Sequence, residues 1–468
     1  MENFVSNPMG TKPIPKLLAS LAIPAIIANV VNALYNVVDQ IFIGQGVGFL
    51  GNAATNIAFP ITTICMAIGL MTGLGSAAKF NLELGRRNYG LAKSVAGTAG
   101  GFLAISGIVI CILIRLFLQK IMIAFGATDQ ILDYAMEYAG ITSFGIPFLL
   151  FSIGTNPLVR ADGAATYSMV AIITGAVLNT VLDPIFIFVL NMGIAGAAWA
   201  TVISQVISAL ILARYFTMFK SVKFEPADFK PKLNLIVVIF VMGITSLIFQ
   251  ISNMLVQVSM NNLLKIYGAA SIYGSEIPIA SAGIVMKINV IFVALAIGLV
   301  QGAQPICGYN YGARKYNRVR ETVKILLTAT FVISLVCFGA FQIFPKEIIS
   351  LFGQGNNLYF DFGVKFMRTF LFFTFLNGLQ MSATTFFPAI GKPIKGAILS
   401  LIKQVIFLLP LLFILPKFFG IAGIMYSAPI ADFVAFVVSI TLLAYEFKNM
   451  PKVDYEFPAN EVHERVTH

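Results

Sequence analysis

Ile68-Gly69-Leu70, with Gly73 one turn later, runs into the basic loop Gly85-Arg86-Arg87-Asn88-Tyr89. The same order returns as Ile297-Gly298-Leu299, Gly302 and Gly312-Ala313-Arg314-Lys315-Tyr316, at an offset of 229 residues for Gly69/Gly298 and 227 for Gly85/Gly312. Further on, Gly193-Ile194-Ala195-Gly196 recurs unchanged as Gly420-Ile421-Ala422-Gly423, again 227 residues later. Paired glycines alone could reflect close helix packing, since Gly69/Gly73 and Gly298/Gly302 are GxxxG pairs. A long ordered set at one offset points instead to an internal duplication, a common feature of transporters.

Each half is built of apolar segments. The 468 residues are 58% hydrophobic and 11% charged, with a mean hydropathy of +0.88, whereas soluble domains run near ~25% charged. A bilayer core takes roughly 20 apolar residues per helix. On that scale the sequence predicts twelve spans, at about 16–38, 53–79, 92–118, 132–155, 164–190, 193–217, 233–263, 277–303, 320–344, 362–387, 394–415 and 420–445. The first is too long for a signal-peptide core and lacks a cleavage site, so it is retained as a span. The expected fold is therefore all-α and integral to the membrane, with two six-helix repeats. Because six is even, the halves insert in the same orientation and are parallel repeats about an axis along the membrane normal. Their predicted limits are 1–218 and 233–447, with a linker at 219–232 and a tail at 448–468.

The formal charge of +11 does not mark a nucleic-acid binder, because the basic residues gather in alternate loops, chiefly 79–93, 214–232 and 314–324. By the positive-inside rule this predicts cytoplasmic termini in a multi-pass cell (inner) membrane protein. The four cysteines, Cys65, Cys111, Cys307 and Cys337, sit in or beside apolar segments without metal-ligand spacing and read as small buried apolar residues. The histidines, His463 and His468, lie in the tail, and no metal or nucleophile motif accompanies them, which argues against an enzyme.

Ionisable groups within spans are costly, roughly 2.5–3.5 kcal/mol at a helix centre, so each invites a functional explanation. Asp39 closes the first predicted span and Asp183 lies late in the fifth. Both helices run outward, which places the two carboxylates at similar depth. Asn179 is one turn below Asp183 on the same face, and Thr201, about eight residues into the descending sixth span, reaches the same level. Two carboxylates in a partly dry pocket can hold a proton between them, or hold Na⁺ with the amide and hydroxyl oxygens. The competing expectation is that Asp39 faces water at a helix end and Asp183 caps or kinks its helix beside Pro184. Pro24 predicts a kink in the first span, static or able to bend with Asp39. Asn32, Tyr35, Ser152 and Asn156 must face protein or a cavity rather than lipid. The second half lacks the acid pair: Met260 and Pro410 stand near the corresponding positions. It carries instead Lys287, Lys403 and Asp432, each about 10–13 residues into its span, expected to form a buried charge network.

With the duplicated six-span halves, the runs Leu34-Tyr35-Asn36-Val37-Val38-Asp39, Leu178-Asn179 with Leu182-Asp183-Pro184, Gly193 to Ala198, and Gln301-Gly302-Ala303-Gln304-Pro305 leading to Gly308-Tyr309-Asn310-Tyr311-Gly312-Ala313 resemble the multidrug and toxic compound extrusion (MATE) family over nearly the whole chain. The resemblance implies a V-shaped pair of six-helix lobes that exports amphipathic, often cationic compounds in exchange for H⁺ or Na⁺ by alternating access. It implies a cation site at Asp39, Asn179, Asp183 and Thr201, a kinked helix at Pro24, and Asn32, Tyr35, Ser152 and Asn156 in the N-lobe cavity. No cofactor and no metal beyond Na⁺ are implied, and the partners are the small-molecule substrate and the bilayer, with a monomer expected. A lipid-linked-precursor or polysaccharide flippase of related architecture is the alternative, although it would be expected to line its cavity with several basic residues.

Overall fold

A computed structural model describes residues 7–351 and 355–455. The part of the predicted tail beyond residue 455, with His463 and His468, lies outside the described residues. The chain forms α1 (Ile14–Gly46), α2 (Phe49–Gly85), α3 (Tyr89–Ala124), α4 (Asp129–Thr142), α5 (Ile146–Ala161), α6 (Ala165–Pro184) and α7 (Gly193–Tyr215). A connecting segment leads to α8 (Leu233–Ala269), α9 (Glu276–Gly312), α10 (Tyr316–Ile343), α11 (Pro345–Ser350), α12 (Asn357–Phe370), α13 (Thr374–Ala389), α14 (Pro393–Leu401), α15 (Leu409–Phe419) and α16 (Ile421–Asn449). Eleven helical runs are long and apolar enough to cross a membrane, and the pair α12 and α13, bent by 47°, makes a twelfth broken span. The α4–α5 run and the α14–α15 run each count as one span.

The surface identifies the solvent. Along α3 the exposed residues include Ile105, Ile108, Val109, Ile112 and Leu116, a stripe at helical spacing, while Ala92, Ala96, Ala99 and Leu103 are buried. A helix that buries its small residues and shows its large apolar ones is solvated by lipid.

Two differences from the predicted spans have physical causes. The first span does not end before Asp39: α1 continues to Gly46, since Ile41-Phe42-Ile43 extends the apolar run and Ile43 is fully buried against Ile187 and Ala197. Asp39 thus sits inside a helix rather than at its mouth. The helix also runs unbroken through Pro24. The tenth span, expected at 362–387, is two helices separated at Leu371–Phe373, within the aromatic run Phe370 to Phe375.

The two halves meet near the end of the bundle where both described chain ends lie. Here backbones approach too closely for side chains. A Cβ on Gly243 of α8 would stand 1.8 Å from the Met71 carbonyl oxygen of α2, and one on Gly85 would stand 2.1 Å from that of Tyr309 in α9. The repeated GxxxG pairs have diverged in use: Gly73 packs on Gly154 inside the first half, whereas Gly298 and Gly302 pack on Ile26 and Ala22 of α1, across the seam. Side chains of the second half also grip the segment preceding α1. Asn310 Nδ2 donates to the Met9 carbonyl (2.9 Å), Lys315 Nζ to that of Gly10 (3.0 Å), and Arg318 Nη2 to those of Met9 (3.1 Å) and Lys12 (2.7 Å).

The segment between α7 and α8 is not a free tether. Buried Asp162 accepts from the Tyr215 hydroxyl and from the Lys220 and Ser221 backbone N–H groups at 2.8–3.0 Å. Asp228 pairs with Lys93 of α3 at 2.9 Å. Burial works to raise the Asp228 carboxyl, but the Glu225 N–H and the Lys93 ammonium outweigh it and hold the group below the usual carboxylate range. Phe216, Phe219, Phe224 and Phe229 stack around this anchor.

If the seam depends on glycine, Gly243→Val will wedge it apart. A single cysteine at Gln304, in a background with the native cysteines replaced by alanine, should then react severalfold faster with a water-soluble maleimide. Gly283→Ala, which meets nothing within 4 Å, should leave the rate unchanged. Equal rates for the two variants would show that the close approach is dispensable.

Candidate functional site

Asp39 and Tyr35 lie one turn apart on α1, as do Asp183 and Asn179 on α6, so each helix presents two polar groups on one face. Pro184 gives no N–H to the carbonyl one turn back, and directly after it the helix widens into a π segment, Ile185–Val189, a feature often found at functional positions. The far end of α1 packs on this segment through Ile43 and Ile187, which sets Asp39 opposite Asp183. The two carboxyl groups lie within hydrogen-bonding reach of each other. Asn179 Nδ2 donates toward Asp183 Oδ1 and Thr201 Oγ1, both at 3.4 Å. Tyr138 of α4 reaches Thr201, and Gln40 reaches Asp39.

The decisive feature is what these groups lack. Asp183 is 0% and Asn179 2% exposed. Asp39 Oδ1, Asp183 Oδ2 and Asn179 Oδ1 are all buried with no hydrogen-bond donor among the described residues. An ionised carboxylate only accepts, and two that face each other in a dry pocket repel unless a proton or a cation stands between them. Carboxylate, amide and hydroxyl oxygens are the donor set suited to a hard monovalent cation. The same atoms can equally hold a shared proton.

The other expected residues divide. Asn32 is exposed on α1, and its carbonyl accepts from Asn36 Nδ2 at 2.6 Å. The Ser152 hydroxyl is buried without a partner among the described residues. Asn156, expected to line a cavity, is instead committed to protein: its Oδ1 accepts from Ser168 Oγ (2.9 Å) and from Arg160. Pro24 is buried beside the seam residues Ala22 and Ile26. Tyr138 and Arg160 were not anticipated. Tyr138 carries no formal charge to flag it, and Arg160 falls just beyond the predicted fourth span.

In the second half Lys403 and Asp432 do pair, at 3.0 Å. Asn377 of α13 completes a closed triad, donating to Asp432 Oδ2 (2.9 Å) and accepting from Lys403 Nζ (2.7 Å). Lys403 lies in a second π segment, Ile402–Leu408, within the span that corresponds to α6. Lys287 corrects the expectation of a three-member network: it is exposed and forms no ion pair among the described residues. Depth along a span is shared by every face of a helix, and Lys287 is on the wrong one.

The MatE family profile matches residues 24–185 and 238–414, one match in each half. The chain is 26% identical over 446 residues to the multidrug export protein MepA of Staphylococcus haemolyticus (strain JCSC1435), covering 94% of this chain and 95% of that protein. It is 27% identical over 450 residues to MepA of Staphylococcus aureus (strain NCTC 8325 / PS 47), covering 94% and 96%. Among solved structures it is similar to a MOP superfamily transporter from Pyrococcus furiosus Vc1 (DSM3638), with a TM-score of 0.87 at 24% identity over 97% of this chain and 100% of that one. A MATE transporter in complex with MaD3S gives a TM-score of 0.88 at 24% identity over 96% and 99%. Likeness at that identity speaks for the twelve-helix, two-lobe fold.

Removing one member of a buried ion pair strands the other and costs about 3–5 kcal/mol, whereas replacing both with apolar groups is far milder. Thermal unfolding in detergent should therefore show Lys403→Met well below wild type, with the double variant Lys403→Met/Asp432→Leu recovering most of the loss. Equal loss in the single and double variants would remove the pair as the cause.

Proposed function

This chain belongs to the MatE family and is a multi-pass multidrug efflux transporter rather than an enzyme, and on that premise we propose that it is an antiporter driven by a cation held between Asp39 and Asp183. The observation that carries this reading is the set of three buried, donorless oxygens on Asp39, Asp183 and Asn179. Hydrocarbon offers no water to satisfy them, so a bound H⁺ or Na⁺ is the economical completion of the site. Thr201 supplies a fourth oxygen, and Tyr35 and Tyr138 wall the pocket beside the pair.

Coupling follows from geometry. Asp39 belongs to α1, which packs both on α6 of its own half and on α9 of the other. A cation that draws Asp39 toward Asp183 acts at the far end of the helix whose near end forms the seam. It shifts the balance between conformations by its differential affinity for them. The lobes 1–218 and 233–447 are the bodies that alternate, joined at 219–232 and followed by the tail 448–468. The termini are cytoplasmic in the cell membrane, and the seam described above is then the closed cytoplasmic gate. Substrates are amphipathic compounds, often cationic, carried in a cavity toward which Asn32, Tyr35 and Ser152 contribute.

The contrast between the halves supports placing the cation in the first. At the corresponding helices of the second half the carboxylate of Asp432 already has its cation, the ammonium of Lys403. That site has no vacancy for an exchangeable ion.

Proteoliposomes loaded with a fluorescent lipophilic cation should transport it under either an imposed pH gradient or an imposed Na⁺ gradient, and the gradient that works names the ion. Asp39→Asn and Asp183→Asn should each abolish that transport while folding normally by size exclusion. Full transport by Asp39→Asn would sink the proposal.

A further inference from the structure

Arg160 lies next to the last residue of α5, at the seam end of the bundle, and is 6% exposed. Its Nη1 donates to Asn156 Oδ1 and, at 3.4 Å, to Ser168 Oγ. Its Nε and Nη2 have no hydrogen-bond partner, and no carboxylate comes within ion-pair distance of it, among the described residues. The acids nearest in the chain or on the facing helix are already engaged. Asp162 is filled by Tyr215 and two backbone N–H groups, and Glu83 by Lys79 and Arg86. A guanidinium out of water without a counter-charge is an unfavourable arrangement that a bound anion would relieve.

The surroundings match that need. Arg160 lines a pocket with Asn81 of α2 and with Gln301 and Gln304 of α9. Gln301 Oε1 is occupied by Asn29 Nδ2 at 3.0 Å, which leaves its amide N–H groups as the free end. Gln304 has no hydrogen-bond partner among the described residues. Among the described residues Asn81 Oδ1 is buried without a donor, whereas its Nδ2, unbonded and not fully buried, adds N–H groups to the same set. The remaining wall is apolar or backbone, from Leu74, Pro157 and Pro305 among others. The space accommodates about one water-sized occupant, so it is too small for a drug and limits an anion to a monatomic one.

We propose that this pocket is an anion site that takes a chloride-sized monoanion. Arg160 provides the charge from the first half, and Gln301 and Gln304 provide N–H donors from the second. Because the two halves build it jointly, the site is complete only while the seam is closed. Its occupant stabilises that conformation by its differential affinity for it. This inference rests on the seam geometry and does not require the cation assignment at Asp39 and Asp183.

The test uses the full chain in nanodiscs, with chloride titrated against gluconate at constant ionic strength. Thermal stability and chloride NMR line broadening are the readouts. Wild type should show a saturable rise in Tm with chloride and specific broadening, and Arg160→Gln should lose both. Gln304→Glu places a carboxylate beside the guanidinium, so in gluconate it should already match or exceed the chloride-loaded wild type and should no longer respond to chloride. That variant keeps the test decisive if Arg160→Gln does not fold. An identical Tm for wild type in chloride and gluconate, without broadening, overturns the proposal. So does a Gln304→Glu protein that retains the full chloride response, which would reveal a general salt effect.

Discussion

In hydrocarbon a polar atom that finds no partner within the protein finds none at all, and this constraint organises the molecule. Many serine and threonine hydroxyls obey it by returning to carbonyls one turn back, as at Thr155, Thr330 and Ser427. Two groups of exceptions involve charge: unpartnered oxygens of Asp39, Asp183 and Asn179 face one pocket, and the Arg160 guanidinium, without a carboxylate among the described residues, lines another with Gln301 and Gln304. One cluster is short of positive charge and the other of negative charge. They lie toward opposite ends of the membrane-spanning part of the first half.

Duplication makes the comparison internal. Both halves carry a π segment in the same span, Ile185–Val189 and Ile402–Leu408, and both set ionisable groups beside it. The second half has closed its version with Lys403, Asp432 and Asn377, each bonded to the other two. The first has left its version open. A fixed ammonium cannot be exchanged, whereas a pair of carboxylates can be loaded and emptied. On the proposed reading, the two repeats have diverged into a lobe with its charges paired internally and a lobe that takes the exchangeable cation.

The seam joins the two halves. Glycines at Gly75, Gly85, Gly243 and Gly312 let α2 approach α8 and α9 backbone to backbone, and such contacts resist sliding because any side chain would clash. Around them polar contacts add to the apolar ones, including the grip of Asn310, Lys315 and Arg318 on the carbonyls of Met9, Gly10 and Lys12. The seam also buries large apolar side chains, among them Leu17, Leu18 and Leu21 of α1 against Leu299, Val300 and Ile306 of α9, so opening it exposes apolar surface as well as breaking hydrogen bonds.

The sequence by itself determined the membrane class, the twelve spans, the duplication and the short roster of intramembrane ionisable residues. Those properties are local or periodic: hydropathy is summed along a window, a repeat is a matter of order, and Asp39, Asp183, Lys403 and Asp432 are conspicuous against an apolar background. Only the tertiary structure decided where α1 ends, that the tenth span is broken at Leu371–Phe373, that Lys287 is exposed and apart from the Lys403–Asp432 pair, and that Asn156 serves Arg160 rather than a cavity. The physical reason is that a span fixes the depth of a residue but leaves its azimuth free. Whether a polar group meets lipid, a partner or an unsatisfied neighbour depends on which helix faces it, and that is set by packing across the chain rather than along it.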